Sequence, residues 1–402
     1  MKISLNKILI SFLFLYGFYA DILIYFTNFQ LLKTSFALII VLLASIDITL
    51  NFKKYKNKRF LLIPLLIILL YLAVWQDLGY LNLWYTIIFG WILTQNNKFT
   101  MKVIYFTFII QFILVIYEVI SGNLIYLSGT TGVLNTFTYD YGESIKFFSS
   151  FGFRPKGLFT GTLVATSFII YLTMFYRNNL RLLLLIFLMA VLVNGRLAMI
   201  VSFLTLMFLI MKTYNSKYQK LPLIFKTLVI FIFTSPLIFG LISILPKTNL
   251  NFIMNTFNFE AASNAGRIYS YGESIFTFLS YNFKEKLFGL PGNEIFDIYG
   301  RIVASESGLL SMFLDIGIIG VIFYFYFFLR AWLSDNSSII NLKSKTIGFK
   351  YVVLIMFISF LQYEHINGNQ RGMLFWFIIL SQLTSKTIGP HLKSRLNTVI
   401  KK

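Results

Sequence analysis

The sequence predicts an all-α protein that lives in a membrane, and three observations carry that reading. Of its 402 residues, 57% are hydrophobic and 12% charged, with a mean hydropathy of +0.76; a soluble domain carries about twice that charged fraction. The apolar residues fall into separate runs, several close to the roughly twenty residues that a bilayer-crossing helix needs. Between Pro246 and Ser305 the apolar pattern stops for a polar and aromatic segment. A break of that length is too long for a simple connection and points to function.

Composition also excludes chemistry. There is no cysteine, so disulfides, thiol nucleophiles and cysteine-ligated metals drop out. His365 and His391 are the two histidines, too few for a metal site built on imidazole. The net charge of +20 resembles a nucleic-acid signal. In a chain this apolar it reads instead as the excess of basic residues in cytoplasmic segments, so no nucleic-acid partner is expected. Residues 1–402 are expected to form one integral membrane domain, its first apolar run a retained helix rather than a signal peptide.

Twelve spans are expected, at 8–26, 35–50, 60–75, 80–94, 103–120, 161–176, 180–193, 197–211, 223–245, 306–329, 351–363 and 373–383. The run from 180 to 211 would be about 48 Å long as one helix, against a hydrocarbon core of ~30 Å. Asn194-Gly195 supplies the turn that divides it. Basic residues then set orientation. With the N-terminus inside, twenty-four Lys and Arg fall inside and eleven outside, together the chain's 35. Both termini are therefore expected in the cytoplasm. The two large external segments are 122–160 and 246–305. Within the second, Ile268, Tyr271, Ile275, Phe278, Leu279 and Phe283 line one face of a helix. This predicts an amphipathic helix on the membrane surface between spans nine and ten. Phe288-Gly289-Leu290-Pro291-Gly292 cannot continue it and marks a turn before re-entry into lipid. No internal repeat is visible, although many transporters are built from repeated halves.

Several residues could carry chemistry. Arg196 is expected at the outer mouth between two short helices, where orientation bias disfavours a cation; the plainer alternative is snorkelling to lipid phosphates. Arg267 follows Gly266 and is expected to open the amphipathic helix, where backbone N–H groups and a guanidinium fork suit an anion. Glu306 starts span ten directly after the loop. It reads either as a helix cap or as a general base. Asp315, nine residues on, lies about 180° around the helix from Glu306 and is left structural. Arg154, Lys156, Arg301 and Arg371 complete an external basic rim suited to an anionic lipid headgroup. Asp21, Asp47 and Glu118 lie in or near spans and are weak markers of an ion path.

The order of short motifs resembles the superfamily of O-antigen polymerases and O-antigen ligases of bacterial surface polysaccharide assembly. The matching pieces are Arg154-Pro155-Lys156-Gly157-Leu158-Phe159, Asn194-Gly195-Arg196-Leu197-Ala198, Gly266-Arg267 and Phe288-Gly289. Ser305-Glu306-Ser307-Gly308-Leu309-Leu310 and Asp315-Ile316-Gly317-Ile318-Ile319-Gly320 complete them.

The resemblance implies glycosyl transfer at the periplasmic face of the bacterial inner membrane, from a glycan on undecaprenyl pyrophosphate. The acceptor is another lipid-linked repeat unit in a polymerase and the lipid A core in a ligase. Ligases carry a histidine–asparagine pair where this chain has Glu306-Ser307, which favours the polymerase. Glu306 and Arg267 would then be catalytic. Arg196, Arg154, Lys156, Arg301 and Arg371 would bind substrate. No cofactor or metal would be needed, because arginines hold the pyrophosphate. Reaction at the anomeric carbon would be inverting. Beyond the bilayer and the lipid-linked substrates, a chain-length regulator is a possible protein partner. The rival class is a lipid-linked oligosaccharide flippase, which predicts paired halves and charges deep in the bundle.

Overall fold

The computed structural model describes residues 5–27, 31–51, 59–76, 81–121, 125, 157–159, 162–193, 195–215, 262–290, 307–333, 357 and 369–384. Among these every regular element is a helix. Apolar sequence in lipid leaves few alternatives, because a helix pairs all its backbone groups within the segment. The helices in order are α1 (Leu5–Thr27), α2 (Leu32–Asn51), α3 (Arg59–Trp75), α4 (Leu81–Thr94), α5 (Asn97–Ser121) and α6 (Thr162–Phe175). There follow α7 (Leu180–Leu192), α8 (Arg196–Asn215), α9 (Ala262–Ser280), α10 (Phe283–Phe288), α11 (Gly308–Leu333) and α12 (Asn369–Thr384). Three are long and apolar enough to cross a membrane: α1, α5 and α11, with 23, 25 and 26 residues. Ten of the twelve expected apolar runs fall on a helix, whereas 223–245 lies outside the described residues and 351–363 is described only at Phe357.

The centre of the bundle is α12 packed on α4. Every side chain from Met373 to Gln382 is buried. A helix apolar all round has to be interior. Small residues let the two axes approach. A Cβ on Gly90 would lie 2.8 Å from the Phe377 nitrogen, and one on Gly372 would lie 2.8 Å from Thr86 Cβ. Residue 86 meets 372 and 90 meets 376, so α4 and α12 run parallel. Close backbone approach through small residues at a spacing of four is a recurrent way of joining membrane helices.

Around this pair sit α6, α1 and α11. Phe175 of α6 packs at a tilt on Phe377 of α12, and Tyr324 and Phe327 of α11 pack on Trp376. In α1 the turn Leu15–Tyr19 is a π-helix. Phe18, within it, packs on Phe159 and Phe168. The expected division of 180–211 is present. The helix α7 stops at Leu192, Gly195 N donates to Ala190 O at 3.1 Å, and α8 returns antiparallel, with Phe187 against Phe203 and Leu183 clustered with Leu206 and Leu209. The outer flanks expose Leu38, Leu42, Leu66, Leu69, Ile113 and Ile322, the surface that lipid would cover.

Candidate functional site

The described part of the polar break, residues 262–290, folds back against the first half of α11. The path can be followed residue by residue. Asn282 starts α10 with a capping box: its Oδ1 accepts from Glu285 N at 2.9 Å, and Glu285 Oε2 accepts from Asn282 N at 2.9 Å. The helix ends at Gly289, with φ 72° and ψ −176°, a region only glycine occupies without strain. The next amide, Leu290 N, donates to Leu314 O of α11 at 2.7 Å. At this level α11 is itself broken: Gly317 has φ 61° and ψ −169°.

The two glycines are pressed together backbone to backbone. A Cβ on Gly289 would lie 2.6 Å from Gly317 N; one on Gly317 would lie 2.5 Å from Gly289 N and from Leu287 O. Neither position accepts a side chain, which is why both motifs, Phe288-Gly289 and Asp315-Ile316-Gly317, carry glycine. Breaking a helix in apolar surroundings frees carbonyls that need new donors. Leu314 O receives Leu290 N and, at a longer 3.4 Å, the hydroxyl of Tyr281; Ile316 O receives the hydroxyl of Tyr71 from α3. Three separate parts of the chain thus meet at one interrupted turn.

Aromatic packing encloses this junction. Tyr71 meets Phe288 edge-on at 5.5 Å, and Phe278 of α9 lies 5.3 Å from Phe313 of α11. Lys284 Nζ stands 3.9 Å from the centre of the Trp75 ring at the end of α3. This cation–π contact is worth about 0.5–1 kcal/mol where exposed. The helix α9 is amphipathic, as expected. Ser274 and Thr277 are buried against the protein, whereas Ile275, Phe276 and Leu279 are exposed, as is Phe283 at the start of α10, from 48% to 79%; Phe278, expected on the same apolar face, packs instead on Phe313. These exposed apolar residues form an outward stripe.

Of the residues singled out in the sequence, Arg267 is displaced from its expected position. The helix α9 already starts at Ala262, so Arg267 lies in its second turn and does not open the helix. The alanines at 261, 262 and 265 favour helix and carry it upstream through Asn264 and Gly266. The unpaired N–H groups belong to residues before Arg267, and the helix-terminus argument for anion binding does not apply to it. Arg196 is the first residue of α8, following Gly195, whose Cα side rests on Thr166 of α6. Arg371 lies in the first turn of α12. Glu306, Arg154, Lys156 and Arg301 lie outside the described residues, as does most of the two segments expected to be external, 122–160 and 246–305. Ser307 is described and acts as the cap of α11: its carbonyl accepts Ser311 N at 3.0 Å and its Oγ accepts Leu310 N at 3.5 Å. The structure brings the helix carrying Arg267 into contact with α11, which follows Glu306. The start of α8 is placed on α6.

Two features were not anticipated. The buried face of α5 carries a polar ridge of Asn97, Thr100, Thr107, Gln111 and Glu118. Spacings of three, four and seven in the sequence would have revealed it. Glu118 is fully buried and accepts the backbone amides of Ile125 and Gly157. Arg177, two residues after α6, is 1% exposed and donates to Met174 O at 2.9 Å. Burial pulls its guanidinium down to about 10. No protein-family model, curated protein or solved structure matches the chain.

Proposed function

We propose that the protein is a polymerase of lipid-linked oligosaccharide repeat units, acting at the outer face of a bacterial cytoplasmic membrane. The observation that carries this reading is the junction at Gly289 and Gly317. It ties the polar segment bearing Arg267 to the membrane helix that follows Glu306, so a loop exposed to sugars and a helix exposed to lipid form one packed unit. A discontinuous membrane helix is a common foundation for a substrate site. The outward stripe of α9 suits a substrate that arrives from within the bilayer.

The proposed topology has twelve spans with both termini inside. It requires α4 and α12, the fourth and twelfth spans, to point the same way, and the parallel packing of these helices agrees with that parity. In the proposed reaction a hydroxyl oxygen of the acceptor sugar attacks the anomeric carbon of the donor. The bond from that carbon to the pyrophosphate oxygen breaks, and undecaprenyl pyrophosphate leaves. Glu306 takes the hydroxyl proton, an effect of roughly 10²–10⁴-fold. Arg267 and Arg196 offset the charge on the leaving pyrophosphate. Arg154, Lys156, Arg301 and Arg371 hold headgroups at the rim.

The test uses the purified full chain in nanodiscs with a defined lipid-linked repeat unit. Wild type should lengthen it. Glu306→Gln should lower turnover by about 10²-fold or more while donor still binds. Arg267→Lys should lose most activity, because a lysine cannot make the guanidinium's two-point contact. Normal turnover by Glu306→Gln would remove it from the mechanism. In the native strain, deletion should leave single-repeat glycans on a gel; complete loss of attached glycan would indicate the ligase instead.

A further inference from the structure

The exposed stripe of α9 has a definite arc and a definite level. Ile275, Leu279 and Phe276 together cover about 100° of the helix circumference, the width of an apolar face built to meet another phase. The arc is turned from the face expected in the sequence: Phe276 joins it, and Phe278 leaves it for Phe313. Ser280 is exposed at one edge, and Ser274 and Thr277 are buried behind. Two apolar helices set the level. Lys284 Nζ stands over the ring of Trp75, the last residue of α3, and Gln76-Asp77 follows that helix in sequence. Phe278 meets Phe313 in the second turn of α11, which begins at Gly308 and is long enough to cross a membrane. Tyr281, Leu290 and Leu314 cluster between them against Trp75. Thus α9 and α10 touch α3 and α11 where the apolar sequence of each stops. A tryptophan at a helix end with a lysine beside it suits the boundary between hydrocarbon and headgroups. The outward charge of α10 is positive: Glu285 is buried in the capping box, whereas Lys284 is exposed and Lys286 half-buried.

We infer that α9 and α10 dock on the lipid leaflet at which α3 ends. Ile275, Phe276, Leu279 and Phe283 enter the boundary of the acyl chains, and Lys284 and Lys286 face the phosphates of anionic headgroups. The partner is lipid because the stripe lies at the level where membrane-length sequence stops, so the bilayer is already beside it. An apolar face joined to lysines is the arrangement that holds a helix in the plane of that boundary. A lysine close to an anionic leaflet strengthens such attachment about fivefold. The polar segment is then fastened twice, to α11 through Gly289 and Gly317 and to the leaflet through α9. This inference goes beyond the polymerase reading and holds for any substrate.

The test uses the full chain in nanodiscs. Since the sequence has no cysteine, a nitroxide label can be placed on single cysteines. Phe276→Cys, Leu279→Cys and Ser280→Cys all change exposed positions, so the packed core is untouched. Power saturation compares contact with oxygen, which concentrates in lipid, and with a nickel chelate, which stays in water. Labels at 276 and 279 should favour oxygen. The label at 280, about 100° around the helix from 279, should favour nickel. Equal readings at all three positions, in either direction, would overturn docking. Low contact with both reagents at 276 and 279 would also overturn it, because a second copy or another protein would then cover the face. Changing the lipid reads the headgroup role. Adding phosphatidylglycerol to phosphatidylcholine nanodiscs should raise the oxygen-to-nickel ratio at 279 severalfold. Lys284→Gln with Lys286→Gln should abolish that gain, and Lys286→Gln alone, which leaves Lys284 on Trp75, should reduce it. A gain absent from the wild type, or unchanged in both variants, would overturn the role of the lysines.

Discussion

Replacing Gly289 with alanine should open the junction between the polar segment and α11. The added Cβ meets backbone, not a movable side chain: Gly317 N would be 2.6 Å away. The conformation, φ 72° and ψ −176°, costs a residue with a Cβ about 1–3 kcal/mol. If the chain shifts to relieve the contact, the 2.7 Å bond from Leu290 N to Leu314 O is lost, at about 1 kcal/mol. Together these give roughly 3 kcal/mol of local destabilisation, and each 1.36 kcal/mol is tenfold in an equilibrium. The Leu290 amide should therefore exchange with deuterium about a hundredfold faster in Gly289→Ala. Gly317→Ala should expose the same amide, and the double variant should be little worse than either single one. Gly272 provides the control, since nothing lies within 4 Å of a Cβ there and it sits on exposed α9. Gly272→Ala should be neutral or stabilising by about 0.5–1 kcal/mol. Wild-type exchange at Leu290 in Gly289→Ala would refute the reasoning.

Other consequences are as direct. Tyr71→Phe removes the donor to Ile316 O and should lower thermal stability in detergent by about 1–2 kcal/mol; an unchanged melting curve would mean the hydroxyl contributes nothing. Gly90→Ala forces α4 away from Trp376 and should cost about 1–3 kcal/mol, read as a smaller folded fraction on size-exclusion chromatography. Single cysteines at Asn82 and Gln370, at the starts of α4 and α12, should react with an impermeant reagent from the same side of the membrane; labelling from opposite sides would contradict the parallel packing.

Much of the helical pattern could be read in advance. Apolar runs identify membrane helices because lipid leaves the backbone no other partner. The division between α7 and α8 was legible because a run from 180 to 211 exceeds the bilayer. What escaped sequence reasoning was tertiary. The Phe288-Gly289 turn was visible, but its partner Gly317 lay inside a run that reads as one uninterrupted helix. Nothing local distinguishes a glycine that breaks a helix from one that merely packs, such as Gly320. The start of α9 was misjudged because Gly266 looked like a boundary, whereas the alanine-rich stretch before it sustains the helix. Glu118 looked like a stray intramembrane charge because its partners are backbone amides, which no sequence displays.

The pairing of α4 with α12 has a consequence for biosynthesis. Thr86 and Gly372 are 286 residues apart in sequence. At about 5–20 residues per second, roughly a quarter of a minute to a minute passes between making one and making the other. Throughout that interval the small-residue face of α4 sits in the bilayer without the helix it was shaped to receive. Lipid, a neighbouring chain or an insertion chaperone has to occupy it meanwhile. The helix α12 therefore joins the earlier helices late, displacing a temporary occupant from beside α4. A ribosome stalled before residue 369 would leave a chain with most of its helices inserted and its middle still open.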